Sequence, residues 1–266
     1  MRFESVGQLE EYRQVLTEKR KTIKTQIFVC AGTGCLANGS RAVFEAIRQA
    51  LADHGLEGKA DVEFKCTGCH GFCQHGPLVV IEPGAVFYQM VKPKDAHDIV
   101  EKTILAHEVI PRLLYRDPAS KQRIEKHTDI PFYNRQHRNA LRNIGRIDPG
   151  CLDDAIVAGC YRALGKTLQE FTPNGVIDAI TRSGLRGCGG GGFPTGKKWL
   201  SCVNAGGDTR YLICNGDEGD PGAFMDRSIM EGDPHSVLEG MTIGAFAIGA
   251  RQGYIYVRAE YPLAVE

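Results

Sequence analysis

Four consecutive glycines, Gly189, Gly190, Gly191 and Gly192, sit inside the run Arg186-Gly187-Cys188 to Phe193-Pro194-Thr195-Gly196-Lys197-Lys198-Trp199. Lacking a Cβ, such residues take positive φ readily and can turn several N–H groups onto a phosphate or a flat ring. Lys197 and Lys198 add positive charge beside those amides. An apolar strand, Tyr211-Leu212-Ile213, follows, and then an acidic turn, Asn215-Gly216-Asp217-Glu218-Gly219-Asp220-Pro221-Gly222. Glycine runs are more often flexible linkers than cradles, and Asp-Pro-Gly alone reads as a solvated turn. Phe193-Pro194, the single Trp199 and the strand between the two motifs argue for a built loop, and the pair suits a phosphorylated flavin.

Cysteine supplies a second chemistry. Of ten cysteines, Cys30, Cys35, Cys66, Cys69 and Cys73 fall in two early clusters about one α/β unit apart, a grouping that points to metal ligation. No apolar h-region follows Met1, so disulfides are not the expected use of cysteine, and the chain reads as cytoplasmic. The 32 basic residues balance the 32 acidic ones, which argues against a nucleic-acid partner. No run of 18 apolar residues predicts membrane insertion. The 266 residues, 42% of them hydrophobic, suffice for about two domains.

The elements that must carry these groups follow from periodicity and caps. Ser5 with Gln8 forms a capping box opening a helix over 6–23, before a strand at Gln26-Ile27-Phe28-Val29 that delivers Cys30 to a loop. Ser40 is expected to cap a helix with Val43, Phe44, Ile47 and Leu51 on one face, ending at Gly55. A strand at 62–64 delivers Cys69 and Cys73 to a second loop, a hairpin pairs 78–81 with 86–88, and a helix over 94–107 closes the unit. Arg, Asn, Asp and Pro dominate 109–150, which reads as a linker. Asp153 or Asp154 is expected to cap a helix carrying Ile156, Val157, Cys160, Leu164 and Leu168. Thr172-Pro173 caps the next one, which stops at Gly184. Cys151 and Cys160 read as ordinary small apolar residues. His70 and His75 read as solvated loop histidines, and His97 as standing alone.

Cys30-x4-Cys35 with Cys69-x3-Cys73, set in Thr67-Gly68-Cys69-His70-Gly71-Phe72-Cys73 and followed by Gly76-Pro77, resembles the thioredoxin-like ferredoxin family. That resemblance implies a 2Fe-2S cluster ligated by Cys30, Cys35, Cys69 and Cys73, with Cys66 a spare thiol. Gly68, Gly71 and Gly76 would let backbone N–H groups approach the sulfurs. Four thiolates suit two ferric ions, each of which needs two soft anionic ligands beside the bridging sulfides. Structural zinc is the competing reading of clustered cysteines, but zinc favours Cys-x2-Cys knuckles over x4 paired with x3.

The glycine run, Asn215 to Arg227, and Glu260-Tyr261-Pro262 resemble the 51-kilodalton-type flavin subunit of complex I and the beta subunits of NAD(P)-reducing hydrogenases. The implied fold is α/β: a thioredoxin-like ferredoxin domain over 1–108, a linker over 109–150, and an incomplete Rossmann-like FMN/NAD-binding domain over 151–266. The resemblance assigns the FMN cradle to Gly187, Gly189, Gly190, Gly191, Gly192, Gly196 and Lys198. It gives the ribityl chain and ring to Asn215, Asp217 and Glu218, a stacking role to Phe193, and the nicotinamide end of NAD(H) or NADP(H) to Asp220. No catalytic acid or base is implied, because the cofactors carry the chemistry. The implied partners are other subunits of a hydrogenase, formate dehydrogenase or complex I-like assembly. The alternative is a non-catalytic 2Fe-2S carrier or interaction module with a vestigial flavin domain.

Two departures from the family pattern carry expectations. Cys188 stands where relatives have Arg, which would weaken flavin binding by about 1.5–3 kcal/mol if nothing replaces that hydrogen bond. Relatives also continue beyond Glu266, so a truncated product is expected. Its sheet should have an open, apolar edge, and its helix over 235–250 should pack poorly.

Overall fold

Ser5 starts the first helix as its residue type predicts: its Oγ accepts the Gln8 N–H at 3.2 Å, capping α1 (Val6–Arg20). The reciprocal arm closes one residue early, because Gln8 Oε1 takes the Glu4 N–H at 2.8 Å instead of the Ser5 N–H. The computed structural model describes residues 2–266. It divides into two units, Met1–Ala158 with Glu231–Asp233, and Gly159–Met230 with Pro234–Glu266.

The first unit is built on β1 (Thr25–Cys30), β2 (Val62–Thr67), β3 (Val79–Glu82) and β4 (Val86–Tyr88), in the order β2-β1-β3-β4. β2 runs parallel to β1, while β3 and β4 each run antiparallel to a neighbour. Successive side chains of a strand point to opposite faces. Ile27 and Val29 accordingly join Val43, Ile47 and Leu51, while Phe28 and Cys30 join Val80, Phe87, Cys35 and Tyr115. Both faces are covered, which is why the central strand carries an unbroken apolar run. Between β1 and β2 lie α2 (Thr33–Ala37), a helix that periodicity did not reveal, and α3 (Ser40–Asp53).

Ser40 does not cap α3. The turn requires Gly39 at φ +87°, so Gly39 is the N-cap, and Ser40 moves inside, where its Oγ is buried without a protein partner. The closing helix begins as a 3-10 turn, Pro93–Asp95, continues as α4 (Ala96–Asp98) and ends as a π-helix, Ile99–Leu105. Residues 109–150 carry β5 (Tyr115–Arg116), β6 (Arg123–Ile124) and α5 (Pro131–Asn134). They place Ile110, Leu113, Tyr115, Ile130, Ile144 and Ile147 in the interior of this unit. After them comes α6 (Leu152–Val157), which has Cys151 as N-cap.

A single helix from Asp153 to Leu168 does not form. Gly159 at φ +99° and Tyr161 at φ +67° break it, and the second unit opens with α7 (Arg162–Glu170). Next is α8 (Pro173–Ser183), where Thr172 Oγ1 accepts the Gly175 N–H at 3.2 Å and Gly184 at φ +71° ends the helix, both as expected. The chain continues through α9 (Thr195–Asn204), β7 (Tyr211–Gly216), α10 (Met225–Gly232), α11 (Pro234–Ile248), β8 (Gln252–Val257) and α12 (Pro262–Val265). β7 and β8 form a parallel two-stranded sheet. Ile213 (65% exposed) and Tyr256 (59%) are among the apolar side chains that this sheet leaves exposed. The expectation for the long helix fails: α11 buries Gly244, Ala247 and Ile248, and its Glu239 carboxylate accepts the Leu164 N–H at 2.9 Å.

Candidate functional site

The end of β1 delivers Cys30, α2 carries Cys35, and the loop after β2 holds Cys69 and Cys73. The Cys30 thiol interacts with those of Cys35 and Cys69, and Cys69 Sγ lies 3.4 Å from Cys73 Sγ. The four thiols thus form a row. The hydrogen bond shared with Cys35, opposed by the one with Cys69 and aided by burial, pushes the Cys30 thiol up to about 12. The corresponding balance around Cys69 raises its thiol to about 11. Thiols so placed do not ionise together unless a cation compensates them.

The spread of the row bears on which cation that is. Four thiolates around one zinc ion lie roughly 3.8 Å apart, as Zn–S bonds of about 2.3 Å require. Among the described residues, no three of these sulfurs lie within 4.8 Å of one another. As they stand, the four sulfurs do not surround a single tetrahedral ion. Gly71 donates its N–H to Cys69 Sγ at 3.3 Å, as its place in the loop predicts. Gly68 instead turns its carbonyl toward Cys30 Sγ (3.8 Å), and Gly76 yields space, since a Cβ there would stand 2.6 Å from Cys35 Sγ.

Sequence reasoning missed three parts of this site. Gly32 is the first: a Cβ there would lie 2.8 Å from Cys69 Cα, so the two cysteine loops touch only because it is glycine. We expect Gly32→Ala to lower stability by about 1–3 kcal/mol and to reduce iron per chain, checked by urea unfolding and metal analysis. Thr33 is the second, donating its Oγ1 proton to Glu231 at 2.6 Å at the start of α2. Nothing local in the sequence marks a contact across that separation. His70 is the third, and it corrects the solvated reading: it is 7% exposed, and burial, then Arg138 and His127, lower its pKa to about 3. The spare thiol Cys66 lies on β2, half-buried and raised to about 11, mainly by burial. His97 also departs from expectation, since it lies with His54 and Glu101, their ligand atoms all within 4.8 Å.

In the second unit the glycine run forms the tip of a closed loop. Gly187 donates its N–H to Phe193 O (2.9 Å), Thr195 to Leu185 O (2.9 Å), and Arg186 Nη1 donates to Gly192 O (3.0 Å). Gly190 (φ +93°) and Gly192 (φ +57°) hold backbone that a residue with a Cβ avoids. Open space surrounds Gly189, Gly190, Gly191 and Gly192, and Phe193 and Lys198 are exposed beside them. Gly196 has a different task, because a Cβ there would lie 2.9 Å from Thr181 Cα where α8 and α9 cross.

Glu218 shapes the acidic turn. Its carboxylate accepts the N–H groups of Met225 (2.6 Å), Asp226 (3.1 Å) and Arg227 (3.2 Å), satisfying donors at the start of α10. Arg258 Nη1 (2.7 Å) and Tyr261 Oη (3.4 Å) donate to its carbonyl, two positioning contacts that the sequence did not reveal. Glu218 and Asp220 line a cavity of about 470 Å3 with Arg227, Arg258 and Tyr261. Asn215 and Asp217 are exposed nearby in sequence and bonded to each other, Oδ1 of Asn215 accepting the Asp217 N–H at 2.9 Å. Neither they nor the glycine loop line that cavity.

Residues 11–104 match the family described as thioredoxin-like [2Fe-2S] ferredoxin, and residues 180–266 match the one described as Nuo51 FMN-binding domain. The two matches cover separate stretches of the chain. The first match contains the thiol row, and the second contains both the glycine loop and the acidic turn. The chain is 54% identical over 132 residues to NADP-reducing hydrogenase subunit HndC of Solidesulfovibrio fructosivorans, covering 50% of this chain and 26% of that one. It is 49% identical over 125 residues to an NADH-quinone oxidoreductase subunit of Rhizobium meliloti (47% and 30%). A third relative, NAD-reducing hydrogenase HoxS subunit alpha of Cupriavidus necator, is 31% identical over 245 residues (90% and 37%). The chain therefore spans between 26% and 37% of the length of these relatives. Among the described residues no helix is long and apolar enough to cross a membrane.

Proposed function

We propose that this chain is an electron-transfer part of an NAD(P)H-oxidising flavoprotein, working as a subunit of a hydrogenase, formate dehydrogenase or complex I-like assembly. The observation that carries this reading is the row of four thiols in a chain that also holds sequence matching an FMN-binding domain. In this reading Cys30, Cys35, Cys69 and Cys73 hold a 2Fe-2S cluster, and Gly71 N–H stabilises negative charge on the Cys69 sulfur. Gly187, the glycines 189–192, Lys198 and Phe193 face FMN, while Asn215, Asp217 and Asp220 present polar groups to it or to NAD(H) or NADP(H). Glu218 acts by holding the turn that positions them. FMN, when bound, connects a two-electron hydride donor to the single-electron chemistry of the cluster. A reducing compartment, the cytoplasm, suits a chain whose early cysteines are clustered as metal ligands.

Anaerobic purification followed by a visible spectrum, low-temperature EPR after dithionite, and acid release of flavin tests the reading on one sample. A reduced two-iron signal together with released FMN is the expected result. Iron without flavin would select the carrier reading, and a colourless protein with one zinc per chain would overturn both.

A further inference from the structure

The ferredoxin unit contains a cavity of about 410 Å3 whose lining includes His70, Tyr133, Arg138, Arg142, Arg146 and Glu82. Its charge is unbalanced. Arg138 spends one Nη2 hydrogen bond on the His70 carbonyl (2.9 Å) and lies 5.3 Å from the Tyr133 ring centre, and Arg142 donates to the Asn139 carbonyl at 3.3 Å. Among the described residues none of these three arginines joins an ion pair. Glu82 is the one carboxylate lining the cavity, and its Oε2 already accepts the Ala85 N–H at 3.1 Å. Two further lining residues carry buried polar atoms with no protein partner, His70 Nε2 and Tyr133 Oη.

The backbone places the arginines deliberately close. Gly145 is at φ +81°, and a Cβ there would stand 2.8 Å from the His70 ring, so the segment bearing Arg142 and Arg146 lies against that imidazole only because residue 145 is glycine. Three guanidinium charges less one carboxylate leave two positive charges around the cavity. Guanidinium forks match the oxygens of phosphate-like groups, and a dianion neutralises two charges where a monocarboxylate would leave one. A cavity of this size is in the range of small-ligand sites.

We infer that this cavity binds a small dianionic oxyanion of the phosphate class through Arg138, Arg142 and Arg146. The inference does not depend on either cofactor assignment, because it rests on residues outside the thiol row and outside the FMN-binding segment.

Calorimetric titration of the whole chain with inorganic phosphate, at ionic strength held constant with chloride, tests it. Saturable binding of one phosphate per chain is expected. Arg142 and Arg146 are exposed, so Arg142→Gln and Arg146→Gln should fold, which circular dichroism checks, and each should weaken binding about tenfold or more. Lys198→Gln should leave this binding in place. Failure to saturate, or binding that survives both arginine changes, overturns the inference. Loss of phosphate binding in Lys198→Gln alone also overturns it and moves the anion to the glycine loop.

Discussion

Cys30→Ala should bring the reduced two-iron EPR signal, and the iron and acid-labile sulfide per chain, below about a tenth of the wild-type values, while Cys66→Ala leaves them unchanged. Cys30 is fully buried at the end of the central strand, and its thiol interacts with those of both Cys35 and Cys69. Removing its sulfur therefore breaks the row in the middle. Two ferric ions need four protein ligands beside their sulfides, and alanine offers none. Alanine is also small and apolar, so the sheet should keep its packing, and the loss would report on ligation instead of unfolding. Cys66 is the demanding control. It sits on the neighbouring strand, paired in register with Val29, and has the same chemistry without a place in the row. Full iron in Cys30→Ala, or iron lost in Cys66→Ala, would remove the ligand assignment.

Much of that site was legible because its chemistry is local. Two cysteine pairs at short spacing, each after an apolar run, place four sulfurs at one end of a sheet whatever the details between them. The glycine run and acidic turn are legible for the same reason, each being a continuous stretch whose backbone needs are written in residue type. What escaped depends on contacts between distant segments. The burial of His70 is set by Gly145, and the capping of the α2 entrance by Glu231, and neither leaves a periodic trace. Ser40 shows a subtler failure: its residue type suits a cap, but one left-handed glycine ahead of it shifts the helix start and turns the hydroxyl inward. Gly196 shows the converse, a glycine in a cofactor-like motif whose small size serves the crossing of two helices.

Asp154→Asn should destabilise the first unit by about 3 kcal/mol at neutral pH, toward the lower end of what breaking a buried ion pair costs. Asp154 is 4% exposed and Lys65 7%. The Lys65 ammonium meets Asp154 Oδ2 at 2.7 Å, the Asp148 N–H donates to the same oxygen at 2.8 Å, and Arg20 pairs with Oδ1. Asparagine keeps the shape but strands the lysine charge in the interior. Glu63, 3.2 Å from the same ammonium, provides partial compensation and keeps the expected loss from being larger. Burial by itself would raise the Asp154 carboxyl, but the Lys65 and Asp148 hydrogen bonds and the charges of Lys65 and Arg20 outweigh it and hold the pKa below the ordinary value. A depressed folded-state pKa contributes stability that is complete above the unfolded value, near about 4, and disappears as pH falls through the folded one. The difference between wild type and Asp154→Asn in urea unfolding should therefore be constant from neutral pH down to about pH 5 and shrink steadily below about pH 4. A difference that is the same at both ends of that range would mean that Asp154 acts through packing alone, and that Lys65 is compensated by Glu63 in the variant as well as in the native protein.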